Sequence, residues 1–393
     1  MIALQEALAR ISAHTSALEP VSVGLSQSLG RRLAEPLQAR LTQPPFDASA
    51  MDGYAVRSSD LTGLPLRLVD ESRAGHASSH VLEAGQTIRV STGAVLPVGA
   101  DQVVIQENAQ RDANTVQFDA TAHPGQHIRR AGLDFQSGQT VLEAGSRLEA
   151  RHISLAAAAG YARLPVFPAP RVVLVTTGDE LVAPGTQPAD GQIIDSLTPG
   201  LGLRLAQWGG ELVSTHHARD NRDTVSRLLR DAAQSADLIV TVGGASVGDH
   251  DHLRPAFARL GGDLVFEKIR VRPGKPTWFG RLGKTRVLGL PGNPVSAWVM
   301  AEITLRHTLA VLQGGSDLPL YATAELGADL EANGNRAHFM RARRDAAGRI
   351  HPVDTQDSSA LTRLIGADGL IVREVDAPAA SAGSSIEWLD FTR

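Results

Sequence analysis

From Val172 to the helix that begins at Pro294, short apolar runs alternate with segments of helical period, and this alternation restricts the fold more than any other feature of the chain. Val172 to Thr176, Leu212 to Thr215, Leu238 to Val242, Leu264 to Val271 and Val287 to Leu290 read as strands. Between them, Leu197, Leu201, Leu205 and Trp208 fall on one helical face, and Val225, Leu228, Leu229 and Ala232 recur at i, i+3, i+4 and i+7. A short helix is expected near His252 to Leu260. Such βαβ alternation predicts an open, largely parallel sheet covered by helices, a three-layer α/β domain.

The rest of the chain has a different texture. At 393 residues it is long enough for two to four domains. From Leu41 to Arg147, β-branched runs such as Thr87 to Val90, Gln102 to Ile105 and Asn114 to Phe118 are separated by Gly, Pro, Asp and Asn turns. Leu164 to Pro170 carries three prolines in seven residues and reads as a stiff connector. After Leu318 the strands are short again, with Arg341, Arg343 and Arg344 on one of them. The expected organisation is therefore a multidomain α/β plus β protein. Residues 1–40 and 138–168 would form a helical and linker domain, the N-terminal helix being a candidate to pack on the central domain. Residues 41–137 would form a mostly β domain inserted N-terminally, residues 169–317 the central α/β domain, and residues 318–393 a small β-barrel-like domain.

Composition removes several function classes. There is no Cys, so disulfides, thiolate metal sites and cysteine nucleophiles are excluded, and any metal must find oxygen or imidazole ligands. A formal charge of -4 leaves no global basic field for a nucleic acid backbone. Glu6 and Arg10 interrupt the apolar N-terminal segment, and the run Val287 to Thr304 contains Pro291, Pro294 and Glu302, so neither a secretory signal nor a membrane span is expected. These features point to a soluble, cytoplasmic protein that acts on small molecules.

In an open α/β sheet, ligands sit beyond the carboxyl ends of the strands. Four turns there are unusual: Thr176 to Glu180, Gly243 to Asp249, Arg272 to Pro276, and Leu290 to Pro294. Glycine lets the backbone approach a ligand, and hydroxyls add donors for oxyanions. The Gly243 loop lacks the Lys-Ser/Thr ending of a P-loop and the spacing of a dinucleotide fingerprint. Lys268, Arg270, Arg272 and Lys275 form a basic run beside these turns, suited to a multiply charged anion. Asp52, Glu180, Asp220, Asp249 and Asp251 fall in turns and could hold a divalent cation through oxygen, although Asp220 also suits a helix N-cap. Asn293 and Pro294 match an N-cap followed by proline at the first helical position, with Ser296 in the first turn. The alternation Asp249-His250-Asp251-His252 is a poor zinc site, because neighbouring residues seldom all face one ion.

As a set, these motifs resemble the molybdopterin molybdenumtransferase family, the MoeA proteins and the E domain of gephyrin. The resemblance rests on Pro45 to Val56, Ser91 to Ala94 followed by Leu96-Pro97, Gly99-Ala100-Asp101, and Arg130 to Asp134. It continues through Thr177 to Leu181, Gly243 to Asp251, Pro273 to Pro276 and Leu290 to Ser296. It implies an enzyme that inserts molybdenum from molybdate into adenylated molybdopterin and releases AMP, the last step of molybdenum cofactor biosynthesis, with a divalent cation, usually Mg2+. The central domain would then bind molybdopterin.

Matched by position, the resemblance implies catalytic roles for Asp52, Thr92, Glu180, Asp220 and Asp251; Glu180, Asp220 and Asp251, around the α/β rim, are then expected to hold or position the cation and water. Ser246, Asp249, Lys268, Arg272, Lys275, Pro291, Pro294 and Ser296 would lie on the substrate and molybdate side, and Arg341 and Ser358 are candidates for touching molybdate. Family members are elongated homodimers, and transient contact with an adenylyltransferase and with molybdoenzyme apoproteins would follow. The chain departs from the family pattern at Leu197, where Asn is usual, at Asn221, where a second Asp is common, and at Arg272, which replaces Lys. A molybdopterin adenylyltransferase and a non-catalytic pterin-binding scaffold are the alternative readings.

Overall fold

The computed structural model describes residues 1–219, 221–243, 252–315 and 321–391, which fall into two compact units. One comprises Met1–Val21, Gly30–Ala34 and Val166–Arg393; the other comprises Ser22–Leu29 and Glu35–Pro165.

The chain opens with α1 (Leu4–Ala13), whose Leu4, Ala7, Leu8 and Ile11 lie on one buried stripe. This stripe joins the main core of the first unit, so the helix packs on the α/β layer. The second unit is built on a six-stranded sheet of β1 (Gly53–Val56), β2 (Leu66–Ser72), β3 (Gln86–Val90), β4 (Gln102–Ile105), β5 (Ala109–Asp112) and β6 (Thr115–Phe118), in the order β4-β1-β3-β2-β6-β5. Only β2 and β3 run parallel. Alternation divides its apolar residues: Tyr54, Val56 and Val104 go to one cluster, Ala55, Val103, Ile88 and Val90 to another. The helix α2 (Ala150–Ala158) follows. The expected proline-rich connector is shorter than seven residues, because Arg163–Val166 is itself a strand.

In the first unit the chain builds β7 (Arg171–Thr177), α3 (Leu197–Gln207), β8 (Glu211–Ala218), α4 (Arg222–Ser235), β9 (Leu238–Val242), α5 (Leu253–Arg259), β10 (Asp263–Phe266), β11 (Val271–Arg272), β12 (Trp278–Leu282), β13 (Thr285–Leu290), α6 (Pro294–Met300) and α7 (Arg306–Leu312). The sheet order is β8-β7-β9-β13-β12-β10. The three-layer arrangement follows from alternation along β7: Val172 and Leu174 enter a core shared with α1, α3, α6 and α7, whereas Val173 and Val175 face α4 and α5.

The sheet is largely parallel, as expected, with one strand reversed: β12, which the sequence pattern did not reveal, forms an antiparallel hairpin with β13, and β10 pairs antiparallel with β12. One expectation needs correction: Leu264 to Val271 is not one strand. It breaks after Phe266: the Lys268 carbonyl accepts from the Ile2 N–H, the Arg270 N–H donates to the Ile2 carbonyl, and the chain re-emerges as β11 in another sheet.

That other sheet closes the first unit. β14 (Tyr321–Glu325), β15 (Ala337–Arg344), β16 (Ile350–Pro352), α8 (Leu361–Ile365), β17 (Gly369–Arg373) and β18 (Ser385–Asp390) give the order β11-β15-β17-β18-β14, with β16 added to β15. Val271, Ala337, Phe339, Leu370 and Val372 on one face belong to the main core, and Ile371, Ala342 and Trp388 on the other form a smaller one. The architecture is multidomain α/β plus β. Among the described residues, no helix is long and apolar enough to cross a membrane.

Candidate functional site

The strand order decides where a ligand fits. After β7 the chain places β8 on one side and β9 on the other, so the topology reverses between β7 and β9, and the crevice beyond their carboxyl ends is the expected ligand position. Thr177 ends β7, Gly243 follows β9, and Pro291 follows β13. The backbones meet closely. A Cβ on Gly243, whose φ is +93°, would lie 2.7 Å from the Thr177 carbonyl oxygen and 3.0 Å from its Oγ1. Gly292 in turn comes within van der Waals reach of Gly243. Because β12 runs antiparallel to β13, with Trp278 opposite Gly289, the Pro273 to Thr277 turn that feeds it lies at the same end of the sheet. The ends of β7, β9 and β13 and the turn before β12 thus share one rim.

Of the carboxylates around this rim, Glu180 is exposed and folds back over Gly178, where a Cβ would fall 2.6 Å from its Oε2. Asp220, Ser246, Asp249 and Asp251 lie outside the described residues. The N-cap role considered for Asp220 belongs to Asn221, whose Oδ1 accepts from the N–H groups of Asp223 and Thr224, both at 3.0 Å. Among the described residues, no three His, Asp or Glu side chains converge in a metal-ligand set. Asp195 uses its carboxylate to take the N–H groups of Leu197 and Thr198 at 3.2 and 3.1 Å, and Leu197 itself turns into the core.

Ile269 and Val271 are buried, Lys268 is half-buried, and Arg270, Arg272 and Lys275 are exposed. A bond of 3.0 Å from the Ile269 N–H to the Lys275 carbonyl folds this segment into a compact turn.

At the start of α6, Pro294 occupies the first turn, but Asn293 does not cap the helix with its side chain. Its Nδ2 donates instead to Ser358 Oγ at 2.8 Å, while the Val295 N–H donates to the Ser358 carbonyl at 3.2 Å. Pro291 and Ser296 are buried beside this link and Pro294 is half-buried. The structure therefore brings Pro291, Pro294, Ser296 and Ser358 together.

Arg341, expected as an anion contact, is engaged with the backbone of a neighbouring loop. It is 2% exposed, and its guanidinium donates to the carbonyls of Ala360, Thr355 and Asp357 at 3.0, 3.1 and 2.9 Å. Its donors are spent on holding the loop that carries Ser358.

The other two candidates sit in the second unit. Asp52 Oδ1 accepts the backbone N–H of Thr92 at 2.7 Å and its Oγ1–H at 3.1 Å. These bonds, the backbone one foremost, hold the carboxyl below the usual carboxylate range although it is exposed. Nearby, Asp47 is held low by the Ala131 N–H and by Arg130.

One feature of the rim escaped sequence reasoning. Thr177 Oγ1 is buried beneath Gly243 and forms no hydrogen bond among the described residues. A threonine at the end of an apolar strand gives no sign of this. A cavity of about 330 Å³ lined by Leu18, Arg31, Arg171, Glu211 and Asp237 opens at the opposite end of the sheet, where β7 and β8 begin, and is not part of the rim.

Comparison with known proteins agrees with this architecture. Residues 2–160 match the MoeA N-terminal region (domain I and II), residues 173–311 the "Probable molybdopterin binding domain", and residues 323–391 the MoeA C-terminal region (domain IV). The molybdopterin molybdenumtransferase 2 of Mycobacterium tuberculosis (strain ATCC 25618 / H37Rv) is 35% identical over 405 residues, covering 100% of both chains. The molybdopterin molybdenumtransferase of Haemophilus influenzae (strain ATCC 51907 / DSM 11121 / KW20 / Rd) is 32% identical over 93% of this chain and 92% of its own length. Among solved structures, the molybdopterin biosynthesis MoeA protein from Pyrococcus horikosii superposes with a TM-score of 0.86 at 28% identity, covering 100% of this chain and 99% of that one. From its first strand to its last, the chain belongs to the MoeA family of molybdopterin molybdenumtransferases.

Proposed function

We propose that this chain transfers molybdenum from molybdate into adenylated molybdopterin and releases AMP, the final step in assembling the molybdenum cofactor. The observation that carries the reading is end-to-end kinship with curated molybdopterin molybdenumtransferases. The rim supports it chemically. An adenylated pterin phosphate and molybdate are both anions, and the rim offers glycine turns, exposed Arg272 and Lys275, and the Asn293–Ser358 link. The absence of Cys also suits a substrate whose own dithiolene sulfurs take the metal, because no protein thiolate competes.

In this reading Glu180, Asp220 and Asp251 position the water, and Mg2+ where it binds, for cleavage of the phosphoanhydride. Asp52, fixed by Thr92, supplies a second anionic group. Lys268, Arg272 and Lys275, with Ser246 and Asp249, bind the substrate, and Ser296 and Ser358 lie on the molybdate side. Mg2+ bound by oxygen ligands supplies charge neutralisation on the phosphates. We read four domains along the chain and a homodimer as the working assembly, which gel filtration tests.

The adenylyltransferase alternative would use only the α/β domain and leaves the β regions at 2–160 and 323–391 without a task. Incubation with molybdopterin and ATP decides between them. The proposed function predicts no adenylate from this protein alone; adenylate formation would favour the alternative.

A further inference from the structure

One face of the α/β sheet buries polar groups that no side chain or backbone group among the described residues satisfies. Val175, Thr241, Gly289 and Trp278 stand opposite one another across β7, β9, β13 and β12. Opposed residues share a face. Here it is the face covered by α4 and α5, because Val175 and Trp278 belong to one core cluster with Val225, Leu229 and Phe257. Thr177 lies on the same face, one pleat nearer the rim, opposite Ala218 of that cluster.

Thr241 and Trp278 are 0% exposed and Thr177 7%. Thr241 Oγ1, Trp278 Nε1 and Thr177 Oγ1 form no hydrogen bond among the described residues, and neither does the buried Oγ of Ser226 on α4. Gly289 brings the indole into the row: a Cβ there would collide with Trp278 Nε1, so the N–H edge of the ring takes the place of a side chain beside Thr241. Neighbouring strands are about 4.8 Å apart, and the indole nitrogen and the Thr241 hydroxyl are therefore separated by roughly the span of one bridging water. Thr241 and Thr177 are diagonal neighbours, a further step of about 7 Å.

A buried donor or acceptor left bare costs stability, whereas an internal water needs roughly two to four polar partners, which this row supplies. We propose that Thr177, Thr241 and Trp278, with Ser226 of the covering helix, bind a short file of internal water molecules that leads from the core to the rim. The indole N–H donates to the innermost water, and that water donates to Thr241 Oγ1. The Thr241 hydroxyl donates to the next water, which donates to Thr177 Oγ1. Thr177, the outer end of the file, is a positioning residue for the rim, because its Oγ1 lies 3.0 Å from where a Gly243 Cβ would be. The ligand is water, so the inference stands apart from the reaction assigned to the rim.

The test uses the full-length protein with ¹⁵N in its four tryptophans, Trp278→Phe assigning the Trp278 indole resonance. The file predicts a nuclear Overhauser cross-peak between this N–H and a long-lived internal water, lost in Thr241→Val. Hydrogen exchange at the Gly243 amide should quicken about fivefold in Thr177→Val and stay within about twofold of wild type in Thr177→Ser, which keeps the hydroxyl. Circular dichroism melting confirms folding; if Thr241→Val does not fold, the wild-type spectrum alone decides. A wild-type indole N–H with no water cross-peak, or a cross-peak unchanged in Thr241→Val, overturns the file. Gly243 exchange unaltered in Thr177→Val, or equally quickened in Thr177→Ser, overturns the positioning role. No turnover is measured, so either failure leaves the proposed function standing.

Discussion

A single carboxylate oxygen of Asp52 accepts both the backbone N–H and the hydroxyl of Thr92, a residue 40 positions later in the chain. The two loops that follow the Pro45 to Ala50 segment and β3 are thereby tied at an exposed point, and the carboxyl stays ionised across the neutral range. Because its pKa is depressed on folding, the stability it contributes is present above the unfolded value and is lost as pH falls through the folded one. Thr92→Val keeps the N–H donor and removes the hydroxyl. The Asp52 carboxyl should then titrate higher in an NMR titration while remaining below its ordinary value. If the pair positions Asp52 for chemistry, AMP release slows by about tenfold, one hydrogen bond's worth of alignment. An unchanged titration and rate would reduce the pair to a loop tie.

Arg204 on α3 and Glu302, in the π-helical turn Ala301–Leu305 between α6 and α7, form a bidentate pair at 2.8 and 3.0 Å, with the Glu302 side chain 1% exposed. Burial pushes Glu302 up, and Arg204 opposes that. Arg204→Met should destabilise the fold by about 3 kcal/mol in urea, since it strands a buried carboxylate. The variant's stability should fall further as pH rises through the raised Glu302 pKa. Pairing it with Glu302→Leu should restore most of the loss; a double variant as weak as the single would mean that packing, not charge, is responsible.

His338 makes a pH prediction of the opposite sign. Burial and the guanidiniums of Arg272, Arg336, Arg341 and Arg373 lower its folded pKa to about 4 from the ordinary 6.5, so between those values the unfolded chain holds a proton that the folded one does not. Stability should therefore rise with pH through that window and decline as the solution is acidified. The group's share is on the order of 3 kcal/mol across it. The stability of wild type relative to His338→Gln should fall as pH drops from neutrality toward 4. Parallel curves would show that His338 does not titrate as its surroundings imply.

The bond from Asn293 to Ser358 joins the rim of the α/β sheet to the loop held by Arg341. Asn293→Ala should change stability by less than about 1 kcal/mol, because the bond is exposed. It should raise the apparent KM for molybdate several-fold while leaving kcat within about twofold. An unaltered KM would separate this link from molybdate handling.

The α/β layer was legible because β7, β9 and β13 are continuous apolar runs and α3 and α4 carry clean helical stripes. β12 was not, since Trp278 to Leu282 is interrupted by Gly280 and Arg281, and only its pairing with β13 makes it a strand. Leu264 to Val271 looked like one strand because hydropathy does not record that Ile2 occupies the hydrogen bonds of its middle. The rim turns could be placed from strand ends alone. Asp52 with Thr92 could not, because nothing in local period links residues so far apart, and they were found only through the motifs of a resembling family. The surroundings of Arg341 were hidden for a related reason: nothing local in the sequence shows the three carbonyls to which its guanidinium donates. His338, alternating with Phe339 in β15, looked ordinary, and only the register with β11 and β17 reveals its neighbours.

The most direct test of the central claim is single-turnover release of AMP from purified adenylated molybdopterin, with and without molybdate and Mg2+, followed by reconstitution of a molybdenum-free apoenzyme. Molybdate-dependent release that yields active apoenzyme is the predicted result, and Glu180→Ala should bind the pterin yet release no AMP. Tight binding of the adenylate by wild type with no molybdate-dependent release would contradict the account and leave a pterin-binding scaffold in its place.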